Sequence, residues 1–456
     1  MRLCGSTLSL TILSLVFCGR LACCLSPLDL KLAGITGEKL NAQFEALAAL
    51  SDTPRPSVTR LVFSDWDVKA RRLIKDLMRD AQLKVREDIM GNIFARWEGA
   101  EKAAVMSGSH SDSIVLGGAY DGDLGVVGAI AAIKALRVEG FKPQKSIEAV
   151  MFTTEEASRF NVPCLGSQGM TGYLNDHTLD NFKDENGSTF REAAARIGYR
   201  SSSNQELLRK AKVDPAAVAA FVELHIEQGP LLEKEGIDIG IVEAILAPSL
   251  LTLDFSGSGG HGGGMPMSHR NDPCLAASEL ALKAEQAAFS TKAFDTVVTT
   301  GIWKQEPNIF NAIPRNVHLE IDVRDTEGDR RDGVIQQIFE AAEEIAANRK
   351  CNLTKEIRYA YPIAKSNPTV LGAIQQSADK LGLSSKKLIS RPYHDAAFMA
   401  QIAPTAMIFT PCKRGLSHHP EEEISLKHMV DGVKTLAYTI AQLAGSAAPS
   451  QAKSEL

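Results

Sequence analysis

The sequence predicts an α/β fold: a mixed sheet with helices on both faces, carrying a smaller inserted α+β unit. Three observations predict it. Apolar, β-branched runs alternate with helical stretches through the first half. Near Glu243 the texture changes to strands that alternate exposed and buried positions. The length, 456 residues, is more than one small core needs and suits two domains.

The elements follow in order. Arg2 precedes an apolar stretch from Leu8 to Phe17, with small residues near Ala22–Cys24. This is the layout of a secretory signal peptide, residues 1–24, too short to span a bilayer comfortably. The larger domain is expected over 28–245 and 358–445. Ser57 to Glu87 is helical in pattern. Asn92–Trp97 and Ala103–Ser109 read as strands, and Leu124–Val138 as an apolar helix closed by Gly140. Ser146–Thr153 and Ala219–His225 are further strands. The inserted unit, 246–357, opens with a strand at Leu250–Phe255 and a glycine cluster. A helix over Pro273–Phe289, strands over Thr296–Trp303 and Val317–Arg324, and a helix over Asp332–Arg349 complete it. Pro368–Leu381 then reads as a helix and Thr405–Phe409 as a buried strand. The tail, 446–456, ends Lys453-Ser454-Glu455-Leu456, one residue away from KDEL. Together the two termini predict residence in the endoplasmic reticulum lumen, with secretion as the alternative.

Composition narrows the function. A net charge of -5 gives no electrostatic case for nucleic acid. No basic run suggests a membrane surface, and no membrane insertion is expected. Outside the signal segment, Cys164, Cys274, Cys351 and Cys412 show no CxxC pairing and read as buried thiols. Asn186-Gly-Ser and Asn352-Leu-Thr are glycosylation sequons.

Ligand-type residues recur at strand ends, where an open α/β sheet gathers its ligands. Ala103–Ser109 delivers His110, and Asp121 opens the next helix. Ser146–Thr153 delivers Glu155 and Glu156, and Ala219–His225 leads on to Gln228. Ser417-His418-His419-Pro420-Glu421 follows the late buried strand. Taken singly, each is equally at home in a turn or a core; it is the repetition on one sheet edge that points to a shared site. Imidazole with carboxylate suits divalent cations. Adjacent Glu155 and Glu156 invite a division of labour, one ligating while the other moves a proton. Glycines 117, 118 and 122 let Asp121 crowd two ions as a bridge. In the inserted unit, His261 sits in Gly257–Gly264, Asn308 and Asn311 precede Ile313-Pro314, and Arg324 ends Asp322-Val-Arg. An imidazole and an amide can donate to an oxyanion, and an arginine can hold a carboxylate. On the residues alone, a hinge and a surface ion pair explain that stretch as well.

Gly108-Ser-His110, Gly118-x-x-Asp121-Gly, Glu155-Glu156-x-x-Arg159-Phe, Glu223-Leu-His225-Ile-Glu-Gln-Gly-Pro, Gly260-His261 and Asn311-x-Ile-Pro together carry a resemblance. From about residue 40 to 443 the chain resembles the dinuclear metallo-amidohydrolases: the allantoate, N-carbamoyl-L-amino-acid and ureidoglycolate amidohydrolases, related to aminoacylase-type metallopeptidases. Ser390-Arg-Pro-Tyr-His394-Asp395, Met407–Cys412 and Ser417–Glu422 look most similar to the plant ureidoglycolate branch. The resemblance implies a metal-binding catalytic domain with an inserted lid and dimerisation domain. His110, Asp121 and His225 would hold one divalent ion, and Asp121, Glu156 and His418 the other. Mn2+ is the ion implied, with Zn2+, Co2+ and Ni2+ as alternatives. Glu155 would be the general acid/base. Gln228, His261, Asn311, Arg324 and His394 would bind substrate, His261 and Asn311 near the oxyanion and Arg324 at the carboxylate. A homodimer is implied, with the lid histidine reaching the neighbouring site. The expected reaction is hydrolysis of (S)-ureidoglycolate, a small ureide of allantoin catabolism, to glyoxylate, ammonia and carbon dioxide; allantoate and N-carbamoyl-L-amino acids are the alternative substrates. A silent binding protein would show damage at these positions, and none is seen. One departure is His261-Gly-Gly-Gly, where similar proteins carry His-Ala-Gly.

Overall fold

The fold is that of a computed structural model, which describes residues 30–447. The expected signal peptide and all but two residues of the expected tail lie outside them. A nine-stranded mixed sheet forms the body. Its strands are β1 (Lys84–Glu87), β2 (Ile93–Trp97), β3 (Glu101–His110), β4 (Lys145–Phe152), β5 (Val218–Ile226) and β6 (Ile239–Ile245). After the second sheet come β13 (Ala364–Lys365), β14 (Ser385–Ser390) and β15 (Thr405–Thr410). The order is β1-β2-β4-β3-β5-β15-β6-β13, with β14 also on β6. The centre, β4-β3-β5-β15, is parallel. Strands buried on both faces read as unbroken apolar runs, and Ser146–Phe152 and Ala220–Ile226 are buried throughout.

Helices cover both faces. Asp123–Val138 is almost wholly buried, as a central helix that is apolar all round must be. It packs with Leu426–Ala444 on one face, where Gly128 and Gly432 both face Leu224. Leu165–Thr171 and Asp395–Met399 lie on the other face, over a core that includes Phe152, Phe221, Phe398 and Phe409.

The second sheet contains β7 (Ala247–Ser256), β9 (Val297–Glu306), β11 (Asn316–Asp325) and β12 (Asn352–Ala360), in the order β12-β7-β11-β9, all antiparallel. A separate ribbon pairs β8 (Gly260–His261) with β10 (Ala312–Ile313). Every second residue of β11 from Val317 to Val323 is buried beneath the helices Pro273–Ser290 and Gly328–Arg349, the period-two signature of a one-sided sheet. Asp272 caps the first of these helices and Pro273 occupies its first turn, a favoured start.

Two expectations change. Residues 57–87 are not one helix: the helix is Asp65–Asp80, and Lys84–Glu87 is β1. Ser64 caps the start by accepting from Asp67 N, and Gln82 turns the end with φ of 57°. The second sheet also runs past residue 357, because β12 extends to Ala360 along β7.

Candidate metal centre and active site

The parallel central strands point their carboxyl ends the same way, so residues far apart in sequence meet. His110 ends β3, His225 lies near the end of β5, Glu155 and Glu156 follow β4, and His418 follows β15. Gly122 has φ of 68°, and a Cβ there would lie 2.4 Å from His110 Nε2. Only glycine lets the chain turn Asp121 onto the imidazoles. Thr154, Gln228 and His418 also carry left-handed φ, between 55° and 59°; such conformations gather at functional sites.

Asp121 lies at the centre. Its Oδ1 is 3.1 Å from His225 Nε2 and 3.8 Å from His110 Nε2. Its Oδ2 is 3.1 Å from His418 Nε2 and accepts from Gln228 Nε2 at 3.1 Å. His418 Nε2 is also 3.3 Å from Glu156 Oε1. Two candidate ligand sets share Asp121, His110–Asp121–His225 and Asp121–Glu156–His418, each with its atoms within 4.8 Å of one another; a third group, Glu223–His225–His394, adjoins them through His225. The outer nitrogens of the two buried rings point at backbone carbonyls. His110 Nδ1 donates to Asp112 O and His225 Nδ1 to Ile226 O, both at 2.9 Å. That fixes the tautomer and turns each Nε2 lone pair inward.

The electrostatics fit divalent cations. Burial, then Glu156, holds the Glu155 carboxyl well above its usual range. Burial, then Glu156, lifts Asp112 to about 8. Against burial, Asp121 raises His225 to about 9, and hydrogen bonds to Asp121 and Glu156 raise His418 to about 11. Carboxylates crowded enough to raise Glu155, Asp112, His225 and His418 form a site short of positive charge, and a donor set of imidazole and carboxylate is one that such cations take.

One cavity of about 410 Å³ collects most of the expected residues: His110, Asp121, Glu155, Glu156, His225 and His418, with Gln228, Arg324 and His394. Arg324 donates from Nε to Asp322 at 2.6 Å and from Nη1 to Arg391 O at 3.3 Å. His394 is buried, with Nε2 3.0 Å from Ser390 Oγ; burial, then His225, keeps its pKa well below the usual value, so the ring stays neutral. His261 and Asn311 are not in this cavity. Both are exposed, His261 in β8 and Asn311 in the turn just before β10, where Gly262 N donates to Asn311 O at 2.7 Å. His261 Nδ1 accepts from Gly263 N and Gly264 N at 3.1 Å each, which leaves the proton on Nε2.

Sequence reasoning passed over several supports. Asp112 accepts the amides of Glu155 and Glu156 at 3.2 and 3.1 Å; its signal was its place two residues after His110. Glu223 accepts from Ser109 Oγ at 2.6 Å and Ala396 N at 2.9 Å; an acid inside an apolar strand was the clue. Glu422 Oε1 accepts from Tyr120 N at 2.7 Å and Asp121 N at 3.0 Å, and its carboxyl carbon would lie 2.1 Å from a Cβ at Gly118. It thereby ties the loop of His418 to the loop of Asp121. Glu422→Ala should cost about 2 kcal/mol in urea unfolding, the loss of two hydrogen bonds at a buried acid; Glu422→Gln, which keeps an acceptor, should lose clearly less.

Comparisons with known proteins identify the family. Residues 109–442 match Peptidase family M20/M25/M40. The ureidoglycolate hydrolase of Oryza sativa subsp. japonica is 46% identical over 413 residues, covering 90% of this chain and 85% of that protein. The allantoate amidohydrolase of Escherichia coli is 31% identical, covering 87% and 96%. A crystal structure of AtUAH in complex with (S)-hydroxyglycine superposes with a TM-score of 0.82 at 45% identity, covering 91% of this chain and 99% of that one. With residues 109–442 matched by the family and a relative 46% identical along 90% of its length, the chain belongs to peptidase family M20/M25/M40.

Proposed function

We propose that this protein hydrolyses the ureido C–N bond of (S)-ureidoglycolate. The observation that carries the reading is that Arg324 shares one cavity with Glu155 and the ligand sets around Asp121. A carboxylate anchor and a hydrolytic centre in one small space suit a short acidic ureide. The similarity to ureidoglycolate hydrolases supports the same substrate.

His110, Asp121 and His225 would hold one divalent cation, and Asp121, Glu156 and His418 the other, with Mn2+ proposed. When bound, such ions acidify water and polarise a carbonyl. Glu155 takes the proton from the attacking water and hands it to the departing nitrogen. Arg324 binds the carboxylate, while Gln228 and His394 line the space between. One water is consumed to release ammonia, carbon dioxide and hydroxyglycine. Hydroxyglycine is a hemiaminal and collapses to glyoxylate and a second ammonia. Ammonia release from ureidoglycolate, allantoate and an N-carbamoyl-L-amino acid, side by side after Mn2+ loading, tests the choice. The highest rate on allantoate would overturn it. Arg324→Ala should raise KM about ten- to a hundredfold, the worth of a hydrogen bond to a charged group, with kcat little changed; an unaltered KM removes the anchor.

We further propose that the chain acts as a homodimer. His261 and Asn311 lie outside their own chain's cavity, and an oxyanion donor must reach a reacting carbonyl. β9 is a sheet edge with Ile302 and Trp303 exposed, and Leu275, Leu282 and Phe289 repeat at seven-residue intervals along the exposed side of the helix Pro273–Ser290. An unpaired edge beside an apolar stripe favours pairing with another copy. Trp303→Glu should yield a monomer by light scattering. Mixing His261→Ala with Glu155→Gln subunits should restore part of the lost activity; no recovery in a mixed dimer would place His261 elsewhere. The terminal sequences alone support residence in the endoplasmic reticulum lumen.

A further inference from the structure

The inserted unit gives the cavity three residues: Pro248, Arg324 and Tyr359. Tyr359 is there because of an irregularity in its strand. Ile357 pairs with Leu251 and Tyr359 with the adjacent Leu250, so Arg358 is an extra residue in β12. A bulge of this kind re-aims the side chain that follows it.

Tyr359 heads an aromatic stack. Its ring lies 4.5 Å from that of Tyr361 at an interplanar angle of 14°, and Tyr361 lies 5.3 Å from Tyr393 at 22°. The neighbouring hydroxyls are all occupied. Tyr173 donates to Ala360 O at 2.9 Å, Tyr361 accepts from Gln168 Nε2 at 3.2 Å, and Tyr393 donates to Pro362 O at 3.0 Å. The Tyr359 hydroxyl makes no hydrogen bond among the described residues. A ring fixed by stacking, on a residue that lines the cavity and has an unspent hydroxyl, is a preorganised donor. Burial, then Asp322, raises this phenol to about 12, so it keeps its proton.

We infer that Tyr359 is a substrate-binding residue whose hydroxyl donates to the carboxylate held by Arg324. The acidic end of the substrate is then read by two residues of the inserted unit, one from β11 and one from β12. This assignment rests on the reading of the substrate as an acidic ureide.

Tyr359→Phe keeps the ring and its stack and removes only the donor. In the full-length, Mn2+-loaded enzyme it should raise KM about tenfold for (S)-ureidoglycolate and equally for N-carbamoylglycine, which has the carboxylate but no hydroxyl. A hydrogen bond to a charged group is worth that factor or more. kcat should stay within about twofold, and the melting temperature should not move. An unchanged KM on both substrates overturns the inference. A rise confined to ureidoglycolate overturns it too, since the hydroxyl would then be read instead. If the wild type turns over neither compound, the proposed function fails by itself. The same comparison on allantoate, which also bears a carboxylate, still decides the role of Tyr359.

Discussion

Glu155→Gln is expected to lower kcat by about two to four orders of magnitude, the usual worth of a positioned acid/base, while metal content stays at the wild-type level. The side chain belongs to neither ligand set. Its Oε2 is 3.6 Å from His110 Nε2, close enough to serve the same reacting centre. Its place is held from behind. Asp112 accepts its amide, while the amides of Cys164, Leu165 and Gly166 bond the carbonyls of Glu155, Thr154 and Thr153. An isosteric amide therefore sits where the acid sat, and what is lost is the ability to carry a proton. Glu156→Gln is the contrasting change. It touches a ligand, so metal should fall together with turnover. Parallel steady-state kinetics and elemental analysis separate the two, and full turnover in Glu155→Gln would remove it as the proton carrier.

The neighbours Glu155 and Glu156 also show what was legible in the sequence. Strand ends can be read from apolar runs, and parallel strands place those ends on one edge. His110, the glutamate pair, His225 and His418 thus point to one site from the sequence. The supports behind them were not legible, because each is a contact between distant segments. Glu422 sits in Pro420-Glu-Glu-Glu423, a run that reads as solvated surface, yet it reaches the amide of Asp121, 301 residues away. Tyr359 belongs to Asn352–Ala360, a strand too exposed and charged to alternate cleanly. A one-residue bulge aims it, and bulges leave no mark on periodicity. The strand Lys84–Glu87 was hidden for the same reason: four largely exposed residues offer neither a helix stripe nor a strand face.

Asp121→Asn should have the widest effect of any single ligand change. Asp121 is the one residue common to the sets His110–Asp121–His225 and Asp121–Glu156–His418. Each of its oxygens faces a different set, Oδ1 toward His225 and Oδ2 toward His418. An amide offers one weak ligand oxygen in place of two charged ones, and its nitrogen offers none. Hydrogen bonding does not make up the difference. Gln228 Nε2 and Ser417 Oγ already approach Oδ2 at 3.1 and 3.3 Å, so an Asn nitrogen turned that way meets another donor. Both ions should therefore be lost, and turnover should fall to background. His225→Ala and His418→Ala each spare one set and should keep about one ion per chain. Metal content after gel filtration distinguishes these outcomes. So does the rise in melting temperature on adding Mn2+, because a ligand stabilises only the fold that binds it. That rise should vanish in Asp121→Asn and shrink in the histidine variants. Two ions retained per chain by Asp121→Asn would show that the two sets do not depend on a shared carboxylate.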